Sequence, residues 1–310
     1  MNIPSHKVAN LFMLFLLAFN LLLALLIGQL YWGLLHDTAM GGFIRAPWFL
    51  IVIQVLGLLL PMFIFSLIFP NDDRLNTGSY PTKKEPLGLI NFILIIVISL
   101  LLQPVMMLFA GLASFIFPNP ITPVISEMAM LPLPVALIIV ALTPSVCEEL
   151  VFRGFIQSRY KNQPIVITAI VNGLFFGMIH LNLHQFTYAF AMGIVFVFMV
   201  HITKSVLSAI LAHFVINSTQ YTLSYLTIRE FGPQADLPTN YELRSAISDL
   251  VNLAGFTVPL AAGLFYILVK HNAGKQPAEA LEPEIKEKHP FDIIFFAVVL
   301  LFVVLMVAFY

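Results

Sequence analysis

The chain alternates between long apolar runs and shorter polar connectors. Nine runs stand out: 8–35, 47–69, 88–117, 132–159, 164–181, 184–202, 205–227, 246–270 and 291–310. A helix needs about 20 apolar residues to cross the hydrocarbon core. Lipid offers the backbone no hydrogen-bond partner, so every crossing segment is predicted to be helical. Three connectors, 70–87, 228–245 and 271–290, mix charge with Pro or Gly and read as solvated loops. The predicted fold is all-α, a polytopic membrane helix bundle of eight or nine transmembrane helices. The count turns on the fifth and sixth runs, which are short and joined only by Asn182–Leu183.

Composition sharpens this picture. Of 310 residues, 60% are hydrophobic and 10% charged, where a soluble domain carries about 25% charged residues. The chain therefore reads as a multi-pass protein of the cell membrane, with membrane lipids as its surroundings. A net charge of −1 points to no nucleic-acid partner. The single cysteine, Cys147, excludes an intrachain disulfide and a C-x-x-C motif. The first run exceeds the roughly 7–15 apolar residues of a signal-peptide core and reads as a retained span. With the N-terminus in the cytoplasm, eleven of the fifteen Lys and Arg residues fall on inside segments and three outside, with Arg153 embedded. That bias predicts a cytoplasmic N-terminus.

Polar residues inside the apolar runs are the candidates for chemistry. Pro144 to Tyr160 holds two adjacent carboxylates, Glu148 and Glu149, and an arginine, Arg153. Such groups cost roughly 2.5–3.5 kcal/mol each at membrane depth on insertion scales. Glu149 and Arg153 are i and i+4 neighbours and can pair; Glu148 has no such partner in its own segment. The fifth run ends with Phe176 and His180 at the same spacing, and the seventh carries His213 and Asn217. Counted from the cytoplasmic helix ends, Glu148 lies about 18 Å deep, His180 about 24 Å, His213 about 14 Å and Asn217 about 20 Å. These groups share one slab, where polar side chains face a bundle interior or a wet cavity.

The set suits amide hydrolysis without a covalent nucleophile. A buried carboxylate beside a neutral histidine can take the proton of an attacking water. Glu148 reads as that base, the alternative being a protonated acid bonded to a neighbouring helix. Glu149 with Arg153 reads as a supporting ion pair. A histidine N–H and an asparagine NH₂ can stabilise an oxyanion, and His213 with Asn217 offers both.

At these residues the sequence resembles the CAAX protease and bacteriocin-processing (CPBP) family, which includes the type II CAAX prenyl endopeptidases. The family pattern, E-E-x-x-x-R, then F-x-x-x-H, then H-x-x-x-N or H-x-x-x-D, stands here as Glu148-Glu149-x-x-x-Arg153, Phe176-x-x-x-His180 and His213-x-x-x-Asn217. The resemblance spans about 130–230 and divides the chain into N-terminal helices (1–130), a catalytic core (131–230) and C-terminal helices (231–310). It implies a glutamate-dependent endopeptidase in which Glu148 with His180 activates water and His213 with Asn217 binds the oxyanion. It further implies a cavity open to lipid and cytoplasm, and a hydrophobic or lipidated peptide or protein as substrate.

Other readings stay beside it. Intramembrane Glu, His and Arg also serve proton-coupled transporters, and a non-catalytic immunity or scaffold protein would share the fold. Phe176 reads as packing or substrate-groove lining, and Cys147 as a small core residue. His184 reads as marking an interfacial turn, with a metal ligand as the alternative, and His201 as a boundary residue. Zinc would find three ligands in Glu148, His180 and His213, but the two-histidine helix signature H-E-x-x-H is missing. No cofactor is therefore expected, with zinc the alternative.

Overall fold

Each apolar run folds as helix, and the helices meet the membrane requirement by internal hydrogen bonding. The computed structural model describes residues 4–70, 87–119, 121–232, 240–273 and 290–309. Helices α1 (Ser5–Leu35), α2 (Ala39–Arg45), α3 (Phe49–Ile68), α4 (Leu89–Ser114), α5 (Thr122–Met128) and α6 (Leu133–Arg159) are followed by α7 (Ile165–Met178), α8 (Leu183–Thr203), α9 (Val206–Phe231), α10 (Asn240–Ala273) and α11 (Ile293–Phe309). Six of these, α1, α3, α4, α6, α8 and α10, are long and apolar enough to cross a membrane, and α7 and α11 are shorter apolar helices. Helix α9 has 26 residues and links the same two ends of the bundle. These nine helices, among the described residues, match the nine predicted runs. Of the predicted loops, 71–86, 233–239 and 274–289 lie outside the described residues.

Two helix boundaries depart from the pattern. The fifth run was expected to stay helical to 181, yet α7 ends at Met178 and His180 lies in the following turn. Leu181 has φ +50° there, and the side chain of Asn182 caps α8 by accepting from the Gln185 N–H at 2.7 Å. The second departure is inside α6, where the helix widens into π turns at Ile138–Leu142 and Leu150–Ile156. Pro144 has no N–H to return to the preceding turn. Thr143 and Ser145 hydroxyls donate to the carbonyls of Ile138 and Ala141, at 2.8 and 2.5 Å. The wide turns thus flank Glu148 and Glu149, a placement π turns often take at functional sites.

One end of the bundle is tied by polar contacts between helix ends. Asn10 Nδ2 donates to Pro290 O (3.0 Å) and Asp292 Oδ1 (3.1 Å), and the Tyr160 hydroxyl donates to Asn10 Oδ1. Burial first, and the Asp292 carboxylate second, push the Tyr160 phenol up, which keeps it a donor. Arg159 Nη2 donates to Phe69 O at 2.7 Å, and Asn91 and Asn272 exchange amide bonds at 2.9 and 3.0 Å. Lys7, Arg159, Lys161, Lys204 and Lys270 all sit at or beside these helix ends, hence the basic end.

The tightest packing joins α7 to α8, and glycine makes it possible. A Cβ on Gly193 would stand 2.6 Å from the Gly173 Cα, one on Gly173 2.9 Å from Phe190 O, and one on Gly177 2.7 Å from the Phe186 ring. Gly173 and Gly177 are four apart on one face, the small-x-x-x-small arrangement that lets membrane helices approach closely. Gly193→Ala should therefore destabilise the protein by about 1–3 kcal/mol through overpacking. Gly255→Ala, where a Cβ meets nothing within 4 Å, should be neutral or mildly stabilising. Thermal unfolding of the two variants in detergent checks the contrast.

Candidate active site

The centre of the bundle holds a fully buried carboxylate with two partners. Glu149 Oε1 accepts from Arg153 Nη1 at 3.0 Å and from His213 Nδ1 at 2.9 Å. Glu149 and Arg153 have side chains without solvent exposure. The arginine donates a second bond, Nη2 to Gly193 O at 3.2 Å, and its guanidinium lies 4.4 Å from the Phe176 ring centroid and 5.1 Å from that of Phe196. An ion pair removed from water needs this extra satisfaction to offset its desolvation. The close α7–α8 approach is what brings the Gly193 carbonyl within reach. The predicted Glu149–Arg153 pair is thus formed, and Glu149 additionally fixes the ring of His213, which sequence spacing gave no reason to expect.

Glu148 precedes Glu149 by about 100° of helix rotation and faces a cavity of about 590 Å³. The other predicted site residues, His180, His213, Asn217 and Phe176, line the same cavity. Phe176 is the spacer between the two imidazoles. Its ring meets His180 edge-on at 5.5 Å between centroids and His213 at 5.7 Å. No direct hydrogen bond joins Glu148 to either histidine. Glu148 Oε2 is buried without a hydrogen-bond partner among the described residues. Cys147 is buried in the hydrophobic core beside it.

Most lining residues are absent from the motifs, among them Gln54, His184, Gln185 and Tyr188. The Gln54 side chain, from α3, lies close to Glu148 at the cavity wall. It reaches the site because α3 crosses α6 near its own π turn at Val55–Leu59. The other three, His184, Gln185 and Tyr188, come from the first turns of α8. His184 is more than a marker of the turn: it is buried, and its Nε2 pairs with Ser114 Oγ at 3.0 Å. The signal for Gln54 in the sequence is a lone amide inside an otherwise apolar run.

Among the described residues no three His, Cys, Asp or Glu side chains gather closely enough to hold an ion. Glu148, His180 and His213 share a cavity without sharing a coordination sphere, and His213 Nδ1 is engaged by Glu149. As arranged, these donors do not fit a zinc centre.

A family model described as Type II CAAX prenyl endopeptidase Rce1-like matches residues 130–219. That interval begins just before α6 and ends two residues after Asn217, so it contains all three motifs. No curated protein and no solved structure matches the chain.

The shared carboxylate gives a stability test. Arg153→Met leaves Glu149 buried without its cation and should cost about 3–5 kcal/mol. Adding Glu149→Gln to that variant should recover part of the loss, because no unpaired charge remains. A double-mutant cycle read by thermal unfolding in detergent measures both.

Proposed function

We propose that the chain, whose residues 130–219 match the type II CAAX prenyl endopeptidase family model, is an intramembrane endopeptidase whose chemistry rests on Glu148, His180, His213 and Asn217. The observation that carries this reading is the Glu148 carboxylate, with one oxygen free of protein partners, at a cavity that two imidazoles and an amide also line.

Glu148 takes a proton from a water positioned with the help of His180, and the water oxygen adds to the scissile carbonyl carbon. Negative charge develops on the carbonyl oxygen. Asn217 and the ring of His213 supply the donors that stabilise it. The C–N bond then breaks, the proton held by Glu148 passes to the departing amine, and the water oxygen remains in the new carboxyl group. Glu149 and Arg153 touch none of the reacting atoms; they hold His213 and the α6–α8 contact. Gln54 orients Glu148. The substrate is a hydrophobic or lipidated peptide or protein held in the membrane.

The test compares membrane-peptide N-termini in cells carrying wild type or Glu148→Ala. Termini that vanish in the variant identify substrates, and cleavage of the recovered segment by wild-type protein in detergent, insensitive to chelator, completes the case. Equal sets of termini from both proteins overturn it, and ion flux in proteoliposomes without proteolysis would replace it with a transporter. Gln54→Leu replaces the polar neighbour of the base with an apolar one, and kcat should fall about tenfold with KM little changed. Steady-state kinetics on the recovered substrate check that split.

A further inference from the structure

Helix α8 starts at the cavity, and its first turns carry polar groups that the chemistry at Glu148 leaves unused. Asn182 caps the helix, accepting the Gln185 N–H on its side chain at 2.7 Å and the Phe186 N–H on its carbonyl at 3.0 Å. His184, Gln185 and Tyr188 follow, and all three line the cavity. His184 is 3% exposed, and its Nδ1 is buried without a hydrogen-bond partner among the described residues. A buried polar nitrogen in that state carries a desolvation cost that a bound group would relieve.

Donors and acceptors in this corner follow from the bonds already made. The single proton of the Ser114 hydroxyl goes to Ala110 O at 2.9 Å, so its 3.0 Å contact with His184 Nε2 is made by the ring N–H. Nδ1 is then a bare acceptor. Gln185 Oε1 accepts from the Asn182 amide, which leaves Nε2 as the donor end of that side chain. The Tyr188 hydroxyl adjoins Gln185. The start of a helix adds partial positive charge. One acceptor among several donors suits a carboxyl group: its oxygens take the donors, and its proton is shared with Nδ1, whichever atom holds it. Glu148 is the one Lys, Arg, Asp or Glu side chain among the lining residues, so no lysine or arginine of the wall offers a carboxyl group another partner.

We propose that the start of α8 is a binding site for the C-terminal carboxyl group of the peptide substrate, held by His184 and Gln185. Tyr188 stands one turn along α8, close enough to Glu148 to feel its charge. His184 lies about 6 Å before Tyr188 along the helix axis. About two residues of extended chain cover that span, at about 3.3 Å each. The bond cut at Glu148 is then a few residues from the chain end, and the corner selects substrates that carry a free carboxyl group there. This rests on the endopeptidase reading and deepens it by naming what the substrate presents to α8.

Binding without cleavage tests the site. The probe is a fluorescent tetrapeptide, an S-prenylated cysteine followed by three apolar residues, made with a free C-terminal carboxylate and as the carboxamide. Fluorescence anisotropy with Glu148→Gln protein in lipid nanodiscs gives both affinities. The acid should bind about tenfold more tightly than the carboxamide. His184→Phe and Gln185→Leu, each added to Glu148→Gln, should erase that preference while carboxamide affinity and unfolding temperature stay near the parent's, which excludes misfolding as the cause. Equal binding of acid and carboxamide by the parent overturns the proposal, as does binding of neither, or a preference that survives both substitutions. Dodecanoate carries the carboxylate without the peptide and should displace the acid probe only at much higher concentration. Displacement at equal concentration assigns the corner to fatty acids and overturns the peptide site. Cleavage enters none of these readings, so a failed comparison of wild type with Glu148→Ala leaves the acid preference standing, and loss of the preference leaves that comparison untouched.

Discussion

One carboxylate oxygen organises the centre of this protein. Glu149 Oε1 joins a guanidinium from its own helix to an imidazole from α9, and the same guanidinium reaches the backbone of α8. Three helices are thereby fixed relative to one another through groups that lipid could not have satisfied. Buried charge of this kind is weak evidence for net stability, since a well-packed apolar substitute can do as well. Its value here is positional. It sets the ring of His213 beside a cavity that the neighbouring Glu148 also lines, one of its carboxylate oxygens buried and without a hydrogen-bond partner among the described residues.

Close helix approach is the second requirement. Arg153 can bond the Gly193 carbonyl because glycine at 173 and 193 removes the side chains that would hold α7 and α8 apart. The same approach carries Phe176 over the guanidinium and against both imidazoles. Phe176 therefore acts as a rigid spacer between groups from different helices. It keeps His180 and His213 near one another without letting either bond the other, an arrangement suited to two separate tasks around one substrate.

Much of this was legible in the residues. Nine apolar runs gave the helices, and i, i+4 spacing gave the Glu149–Arg153 pair and the Phe176–His180 contact. Helical rise placed four polar groups in one slab. Three features lay beyond such reasoning. Gln54 comes from a run with no polar partner nearby in sequence, and its meeting with Glu148 depends on how α3 crosses α6. The Glu149–His213 bond links residues 64 apart and depends on side-chain direction, which depth does not supply. The early end of α7 follows from the capping of α8 by Asn182, where a local side-chain bond overrides apolar continuity.

The knot of Asn10, Tyr160, Pro290 and Asp292 bears on how the bundle is assembled. The carbonyl and carboxylate that receive the Asn10 amide are made some 280 residues after it. During synthesis the first helix must wait in the bilayer, its amide served by a temporary partner, until the last has been inserted. Contacts so distant along a chain form slowly. The bonds from Asn10 to Pro290 and Asp292 thus close only once α11 is in place, and a nascent chain halted before it would carry the three motifs with that knot unmade.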